Sequence, residues 1–114
     1  MLTDEEKDRY HRQIILPRWG ERAQEVLKTA RVFVAGAGGL GSPAAYYLAA
    51  AGVGTIRICD SGTVERSNLN RQILHGERDI GKNKALSASE SLSLLNPLVR
   101  VIPLHEEITD QNVE

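Results

Sequence analysis

The segment from Val32 to Gly52, VFVAGAGGLGSPAAYYLAAAG, constrains the fold of this chain more than any other. It places a glycine-rich loop, GAGGLGS, between a short apolar run and an alanine-rich segment. A continuous apolar run at 32–35 is typical of a strand that is buried on both faces, and a helix is expected after the loop. Glycines between such elements let the backbone turn sharply and approach phosphate oxygens, which helix N-termini attract. The segment therefore predicts a phosphate-binding α/β unit, with a turn that holds no ligand as the alternative.

Patterns elsewhere in the chain predict that strands and helices alternate. The predicted elements are, in chain order, a short helix that begins at the capping box Thr3–Glu6, a helix over 21–29, a strand over 32–35, a helix to about 52, a strand over 55–59, a short helix around 68–74, a helix over 82–95, a strand over 99–102 and a helix capped at Thr109–Asp110. This alternation predicts a parallel sheet with right-handed crossovers. The expected fold class is therefore α/β, a Rossmann-like parallel sheet with flanking helices.

The predicted strands are too few for a complete domain of this class. Complete doubly wound domains have about five or six strands, with helices on both faces of the sheet. We therefore expect the 114 residues to be the N-terminal piece of something longer. In this interpretation residues 1–30 form a helical arm, and residues 31–114 form the N-terminal part of an incomplete nucleotide-binding domain.

Composition argues against several other functions. The 14 Lys and Arg against 15 Asp and Glu leave a net charge of −1, which offers no field for nucleic acid or for an anionic membrane. No segment approaches the roughly 18 apolar residues of a membrane span, and the polar start MLTDEEKDRY does not resemble a signal peptide. Cys59 is the single cysteine, so we expect a buried structural thiol, no metal site in this chain and a reducing cytoplasm.

The glycine loop alone does not distinguish NAD from ATP. Gly36, Gly38 and Gly41 match the G-x-G-x-x-G pattern, and Asp60, about 20 residues further on, is placed to bind ribose hydroxyls or to act only as a cap. The residues that favour ATP lie downstream and are polar or cationic: Asn68, Arg71, Gln72, Lys82 and Lys84. Attack at the α-phosphorus of a triphosphate builds charge on the departing pyrophosphate, which fixed cations stabilise. Each cation taken alone is equally explained as a solvated surface charge.

Several long motifs follow one another from Arg9 to Pro97. They are RYHRQIILP, VAGAGGLGS, AGVGTIRICDSGTVERSNLNRQ, DIGKNKA and LNP. Together they resemble the MoeB/ThiF/HesA family, the bacterial relatives of ubiquitin-activating enzymes, and the first motif favours MoeB- and ThiF-like members over the related tRNA-modifying dehydratases. The resemblance implies an α/β nucleotide-binding fold that adenylates the C-terminal glycine carboxylate of a ubiquitin-like sulfur-carrier protein, with ATP and Mg²⁺ as cofactors and pyrophosphate as a product.

The resemblance also implies roles for individual residues. Gly39 and Gly41 contact the phosphates, and Asp60 holds the ribose. The residues implied to grip the triphosphate and the transferring phosphoryl group are Asn68, Arg71, Gln72 and Lys84. Arg12 resembles the arginine that family dimers contribute to the partner subunit's ATP, which implies a homodimer. Arg71, Lys84 and Arg12 are therefore the candidate catalytic residues.

Other functional parts of the family have no counterpart among these residues. The resemblance places the magnesium ligand, the carrier-binding region and any structural zinc site beyond Glu114, so we predict that this chain alone is nearly inactive. We expect His11 to pack the arm, and His75 and His105 to lie on the surface. Two alternatives stay open, an NAD-dependent oxidoreductase and a nucleotide-binding or scaffolding subunit without catalysis.

Overall fold

A computed structural model describes residues 1–107 of the chain. The helices and strands are, in order, α1 (Asp4–Arg9), α2 (His11–Ile14), α3 (Gly20–Thr29), β1 (Arg31–Ala35), α4 (Gly41–Ala51), β2 (Thr55–Cys59), α5 (Lys84–Leu95) and β3 (Arg100–Leu104). Two single 3₁₀ turns, Arg66–Asn68 and Glu77–Asp79, lie between β2 and α5. The helix predicted to begin at Thr109–Asp110 falls outside the described residues.

The three strands form a parallel sheet in the order β1-β2-β3. Helices α4 and α5 pack on the same face of the sheet, as the right-handed crossover rule requires for two connections between adjacent parallel strands. Val34, Ile56 and Ile58 of the strands meet small alanines of α4 and Leu92 of α5 in one buried cluster. The predicted α/β fold with a Rossmann-like parallel sheet and flanking helices is therefore confirmed.

The opposite face of the sheet is less covered than the sequence predicts. Phe33, Arg57 and Ile102 stand in register across it, and Arg57 is exposed while the other two are half-buried. The prediction that the strand at 32–35 is buried on both faces holds only for Val34. The physical reason is topological, because both crossover helices within residues 1–107 lie on the other face.

The N-terminal arm packs against the C-terminal end of α4. Gln24 is completely buried, and its Nε2 donates a 2.8 Å hydrogen bond to the carbonyl oxygen of Ala51. Its Oε1 accepts from Gln13 Nε2 at 2.9 Å and from Trp19 Nε1 at 3.1 Å. Gly52 ends α4 with φ +98°, and a Cβ there would lie 2.6 Å from Cζ of Tyr10. Glycine is thus required both by the backbone and by the arm.

Several predicted boundaries shift by one or two residues, and one predicted helix is absent. Helix α5 begins at Lys84 because the Asn83 side chain accepts a 2.7 Å hydrogen bond from the Leu86 N–H and so caps the helix. The third strand begins at Arg100 and continues to Leu104. The helix predicted around 68–74 is wrong, since a 3₁₀ turn over Arg66–Asn68 and isolated turns occupy that region. No helix within residues 1–107 has the length and apolar character needed to cross a membrane.

Candidate functional site

The glycine loop lies between β1 and α4, at the carboxyl end of the sheet. Gly36 has φ +97° and donates a 2.8 Å hydrogen bond to the carbonyl oxygen of Cys59, so the loop is joined to β2. A Cβ at Gly41 would collide with the carbonyl oxygen of Gly36. The chain can fold back on itself here only because both positions are glycine. The loop therefore opens onto the N-terminus of α4.

Asp60 holds the glycine loop from the neighbouring strand. Its Oδ2 accepts a 2.8 Å hydrogen bond from the Ala37 N–H, and its Oδ1 accepts one of 2.7 Å from the Gly62 N–H. Asp60 is therefore a cap, one of the two roles considered from the sequence. Each carboxylate oxygen has a second lone pair, so this role leaves acceptors for ribose hydroxyls.

A groove of about 640 Å³ runs along the loop. Its lining residues are Ala35, Gly36, Gly38, Gly39, Leu40, Gly41, Asp60 and Arg71. Cδ of Arg71 lies 3.7 Å from the position of a Cβ on Gly39. One guanidinium nitrogen of Arg71 donates to the Ser67 carbonyl oxygen at 3.1 Å and to Asn70 Oδ1 at 2.9 Å. The guanidinium has five N–H groups, so an exposed cation with spare donors stands beside the loop.

Gln72 lies beside the glycine loop at Gly38, whereas Asn68 is not among the residues that line the groove. Nε2 of Gln72 is 3.9 Å from the position of a Cβ on Gly38, and its Oε1 is buried without a hydrogen-bond partner within residues 1–107. Buried acceptors without a partner are rare, and each needs an explanation such as a bound group. Asn68 has a structural task, because its Oδ1 accepts a 2.8 Å hydrogen bond from the Glu65 N–H and closes the 3₁₀ turn.

The two lysines of GKNKA have different surroundings. Lys84 is the first residue of α5, and its Cδ lies 3.4 Å from the position of a Cβ on Gly62, beside Asp60. Its ammonium forms no ion pair with any residue from 1 to 107. Lys82 lies 3.2 Å from Glu90 and 3.5 Å from Asp79, and the hydrogen bond to Glu90 raises the pKa of Lys82. Within residues 1–107, Lys84 is therefore the lysine of this pair that has no ion-pair partner, as is also true of Arg71 in the groove.

Arg12 lies away from the groove of its own chain, on the arm. It is exposed on α2, while its neighbour Gln13 donates a 2.9 Å hydrogen bond to the carbonyl oxygen of Ala51, at the last turn of α4. Helix α4 has 11 residues and is therefore about 16 Å long, with the glycine loop at its other end. The fold brings the glycines, Asp60, Arg71, Gln72 and Lys84 together without Arg12.

The environment of His75 differs from the one predicted from the sequence. The prediction of a surface position is wrong, since only 6% of His75 is exposed. Its Nε2 lies 3.0 Å from the carbonyl oxygen of Ala37 and its Nδ1 lies 2.8 Å from Oγ of Ser87. No local pattern marks these contacts, because the residues are far apart along the chain. His105 is exposed as predicted, and His11, expected to pack the arm, is exposed on α2.

Cys59 is buried at the end of β2, as predicted. Its thiol donates a 3.2 Å hydrogen bond to the carbonyl oxygen of Glu106. Burial, assisted by the charge of Glu106, raises the pKa of the Cys59 thiol. Within residues 1–107, no three His, Cys, Asp or Glu side chains are arranged to hold a metal ion.

Comparisons with known proteins agree on one family. The model of the ThiF family matches residues 10–114. The chain is 53% identical to a sulfur carrier protein adenylyltransferase of Thermus thermophilus, over 96% of this chain and 41% of that protein. It is 55% identical to the probable adenylyltransferase/sulfurtransferase MoeZ of Mycobacterium tuberculosis, over 92% of this chain and 26% of that protein. The chain thus spans less than half the length of these relatives.

Solved structures give the same fold. The tRNA N6-threonylcarbamoyladenosine dehydratase TcdA of E. coli, in complex with ATP, superposes with a TM-score of 0.91 and 34% identity, over 99% of this chain and 46% of that one. E. coli MccB with ATP superposes with a TM-score of 0.73 and 37% identity, over 76% of this chain and 26% of that one. Both of these structures contain ATP.

Proposed function

The chain belongs to the ThiF family, and we propose that it forms the ATP-binding part of an enzyme that adenylates the C-terminal glycine carboxylate of a ubiquitin-like sulfur-carrier protein. The observation that carries the proposal is the placement of Arg71 against Gly39, in the groove that Asp60 also lines. The relatives with more than 50% identity are named as adenylyltransferases, which favours this chemistry over hydride transfer.

The groove divides into parts suited to the parts of ATP. The free lone pairs of Asp60 would accept from the ribose hydroxyls, and the loop N–H groups at the start of α4 would face the phosphates. Arg71 and Lys84 would hold the β- and γ-phosphates from two sides. Their placement supports a triphosphate as the ligand, because a dinucleotide gains less from two extra cations.

The reaction needs positioning and charge stabilisation. An oxygen of the carrier's carboxylate attacks the α-phosphorus of ATP, the bond from that phosphorus to the bridging oxygen breaks, and pyrophosphate leaves. A carboxylate is already ionised at neutral pH, so no general base is required. The contribution of Arg71 and Lys84 would be to stabilise the charge that grows on the departing pyrophosphate.

Mg²⁺ fits this proposal only if some of its ligands come from groups other than residues 1–107. Asp60 is the carboxylate that lines the groove, and each of its oxygens already accepts a backbone hydrogen bond. Mg²⁺ is commonly held by one or two carboxylates together with substrate phosphates. The ion would therefore depend on the triphosphate and on residues outside 1–107, and it would neutralise phosphate charge when bound. Any zinc site would likewise lie outside 1–107.

A second copy of the chain would explain the position of Arg12. The side chain is exposed at the end of α4 opposite its own groove, and Ile15 and Leu16 beside it are 57% and 54% exposed. Apolar side chains on a cationic arm are suited to an interface. A two-fold dimer would cover them and carry Arg12 to the partner's groove.

The single cysteine, Cys59, fits a reducing cytoplasm as the location of the protein.

Calorimetric titration of the chain with ATP–Mg²⁺ and with NAD tests the ligand. We expect ATP to bind at least about tenfold more tightly, because two cations face its additional phosphates. Arg71→Ala and Lys84→Ala should each weaken ATP binding by about 10- to 100-fold, while binding of AMP changes less. The matched controls Arg78→Ala and Lys82→Ala should leave it unchanged. Tighter binding of NAD, or binding of neither ligand, would contradict the proposal.

Pyrophosphate exchange tests the activity. The 114-residue chain mixed with a carrier protein should exchange labelled pyrophosphate into ATP only near the background rate, because the carrier-binding region is expected beyond Glu114. Robust exchange by this chain would contradict that expectation.

A further inference from the structure

The peptide groups on both sides of Ala37 are held by three side chains, one from α4 and two from the connection between β2 and α5. Ala37 is completely buried, and its N–H donates to Asp60 Oδ2 at 2.8 Å. Its carbonyl oxygen lies 3.0 Å from Nε2 of His75 and accepts a 3.2 Å hydrogen bond from Oγ of Ser42. A residue in the middle of the glycine-rich loop is thus held by three side chains.

The hydrogen bonds of His75 define which nitrogen carries its proton. A carbonyl oxygen can only accept, so Nε2 of His75 must be the donor to Ala37. In the neutral ring Nδ1 is then the acceptor, and the hydroxyl of Ser87 donates to it across 2.8 Å. Ser87 is completely buried on α5. A chain of two hydrogen bonds therefore connects α5 to the glycine loop.

The orientation of the Ala37 carbonyl determines where the next N–H points. The peptide unit that joins Ala37 to Gly38 is planar and trans, so its C=O and N–H point in opposite directions. Because the carbonyl is directed toward the buried His75, the Gly38 N–H points the opposite way, and Gly38 itself lines the groove. Within residues 1–107 the Gly38 N–H donates to no other main-chain group.

From these contacts we infer that His75 is a positioning residue, which aims the Gly38 N–H at a bound phosphate by holding the Ala37 carbonyl from behind. The inference rests on the proposed function for the identity of the ligand. His75 does not touch the ligand itself. Ser87 supports it by keeping the proton on Nε2, because without that donor the ring can adopt the tautomer that faces the carbonyl with a lone pair.

Three substitutions and one control test this role in the complete 114-residue chain. His75→Leu removes the donor, His75→Gln keeps an amide N–H close to the position of Nε2, and Ser87→Ala removes the group that selects the tautomer. His105→Leu is the control, because His105 is exposed. Calorimetry gives the affinities for ATP and for adenosine, which lacks phosphates, and thermal unfolding reports whether each variant is folded.

We expect His75→Leu to lose at least about tenfold in ATP affinity while its adenosine affinity changes less than about twofold. His75→Gln should recover most of the lost ATP affinity. The ATP affinity of Ser87→Ala should lie between those of His75→Leu and His75→Gln. A role in stability alone would lower both affinities together and would not be rescued in this way. Equal losses for ATP and adenosine, or an unchanged ATP affinity, would overturn the inference.

Hydrogen–deuterium exchange of the free protein separates this inference from the proposed function. Amides of 36–41 should exchange faster in His75→Leu and in Ser87→Ala than in the parent chain, with no ligand present. If the parent chain fails to bind ATP, the proposed function fails, and unchanged exchange in 36–41 would independently overturn the role of His75. If His75→Leu does not fold, His75→Gln and Ser87→Ala carry the same comparison.

Discussion

Tyr10 and Asn96, which are 86 residues apart in the sequence, meet in a buried hydrogen bond of 2.7 Å from Nδ2 of Asn96 to the Tyr10 hydroxyl oxygen. Nδ2 of Asn96 also donates to the carbonyl oxygen of Ala49 at 2.8 Å, and its Oδ1 accepts from the Leu98 N–H at 3.2 Å. One buried amide therefore joins the arm to the ends of α4 and α5. Two motifs at opposite ends of the chain, RYHRQIILP and LNP, thus have a common structural purpose.

This contact predicts a measurable coupling between the arm and the sheet domain. Tyr10→Phe removes one acceptor and should lower the free energy of unfolding by about 1 kcal/mol, and Asn96→Ala should lower it by about 2–3 kcal/mol. The double variant should lose less unfolding free energy than the two single variants together, because both substitutions remove the same hydrogen bond. Urea denaturation gives these values, with the exposed Tyr47→Phe as the control. Additive losses would show that the two residues are not coupled.

The glycines of the loop should differ sharply in their tolerance of a methyl group. At Gly41 a Cβ would collide with the backbone oxygen of Gly36, which cannot move aside, whereas at Gly38 the nearest atom is a side-chain nitrogen 3.9 Å away. Gly41→Ala should therefore lower the free energy of unfolding by at least about 3 kcal/mol, and Gly38→Ala by less than about 1 kcal/mol. Urea denaturation compares them directly. Similar losses at both positions would contradict the described loop geometry.

Local signals predicted the regular elements well. The capping box at Thr3 predicts α1, the apolar run ending at Cys59 predicts β2, and Gly52 marks the end of α4, as the structure has them. The grouping of Asp60 with the glycine loop also follows from topology, since adjacent parallel strands end at the same edge of a sheet. Each of these features depends on residues that are near one another in sequence or in a regular register.

Long-range contacts were beyond the reach of the sequence. The burial of His75 depends on Ala37 and Ser87, which only the folded chain brings to it. The helix predicted at 68–74 does not form. Instead, the Asn68 side chain accepts a hydrogen bond from the Glu65 N–H and closes a 3₁₀ turn. The exposure of β1 reflects which face the crossover helices take. No periodicity in the sequence predicts these long-range contacts or the face on which the helices pack.

The ion pair of Glu6 should make stability depend on pH. The hydrogen bond from the Thr3 N–H, followed by Lys28 at 2.9 Å, lowers the pKa of Glu6 in the folded chain. A lowered folded-state pKa stabilises the fold above the unfolded value and loses that stabilisation as the pH falls through the folded value. Glu6→Gln should therefore destabilise by at most about 1 kcal/mol at pH 7, and this loss should shrink as the pH falls below the unfolded value of 4.5.

Urea denaturation across this pH range measures the effect. The exposed neighbour variant Glu5→Gln should show no such pH dependence beyond a few tenths of a kcal/mol. If the loss in unfolding free energy caused by Glu6→Gln grew toward low pH, the sign of the linkage would be reversed. That result would contradict a lowered pKa for Glu6 in the folded chain.

Cys59 should be unreactive while the chain is folded. Burial raises the pKa of its thiol, and the hydrogen bond to the Glu106 carbonyl oxygen occupies its proton. Since the thiolate is the reactive form, modification by a disulfide reagent at pH 8 should be at least about 100-fold slower than for glutathione and should become fast in urea. A Cys59→Ser chain carrying Ser93→Cys, at an exposed position, should react at once. Equally fast modification of Cys59 would contradict its burial.

Asp60 should contribute to nucleotide binding in two separable ways, through the loop that it holds and through the ribose. Asp60→Asn replaces one acceptor oxygen with an NH₂ donor that faces a backbone N–H group. It should therefore lower the free energy of unfolding by about 1–3 kcal/mol, and it should also weaken ATP binding. The ribose contribution is isolated by comparing ATP with 2′,3′-dideoxy-ATP. The parent chain should prefer ATP by about tenfold or more, and Asp60→Asn should lose that preference, while the exposed variant Asp8→Asn keeps it. If Asp60→Asn weakens both nucleotides equally and retains the preference, the carboxylate acts only by holding the loop, and the hydroxyls of the sugar must be recognised by another residue.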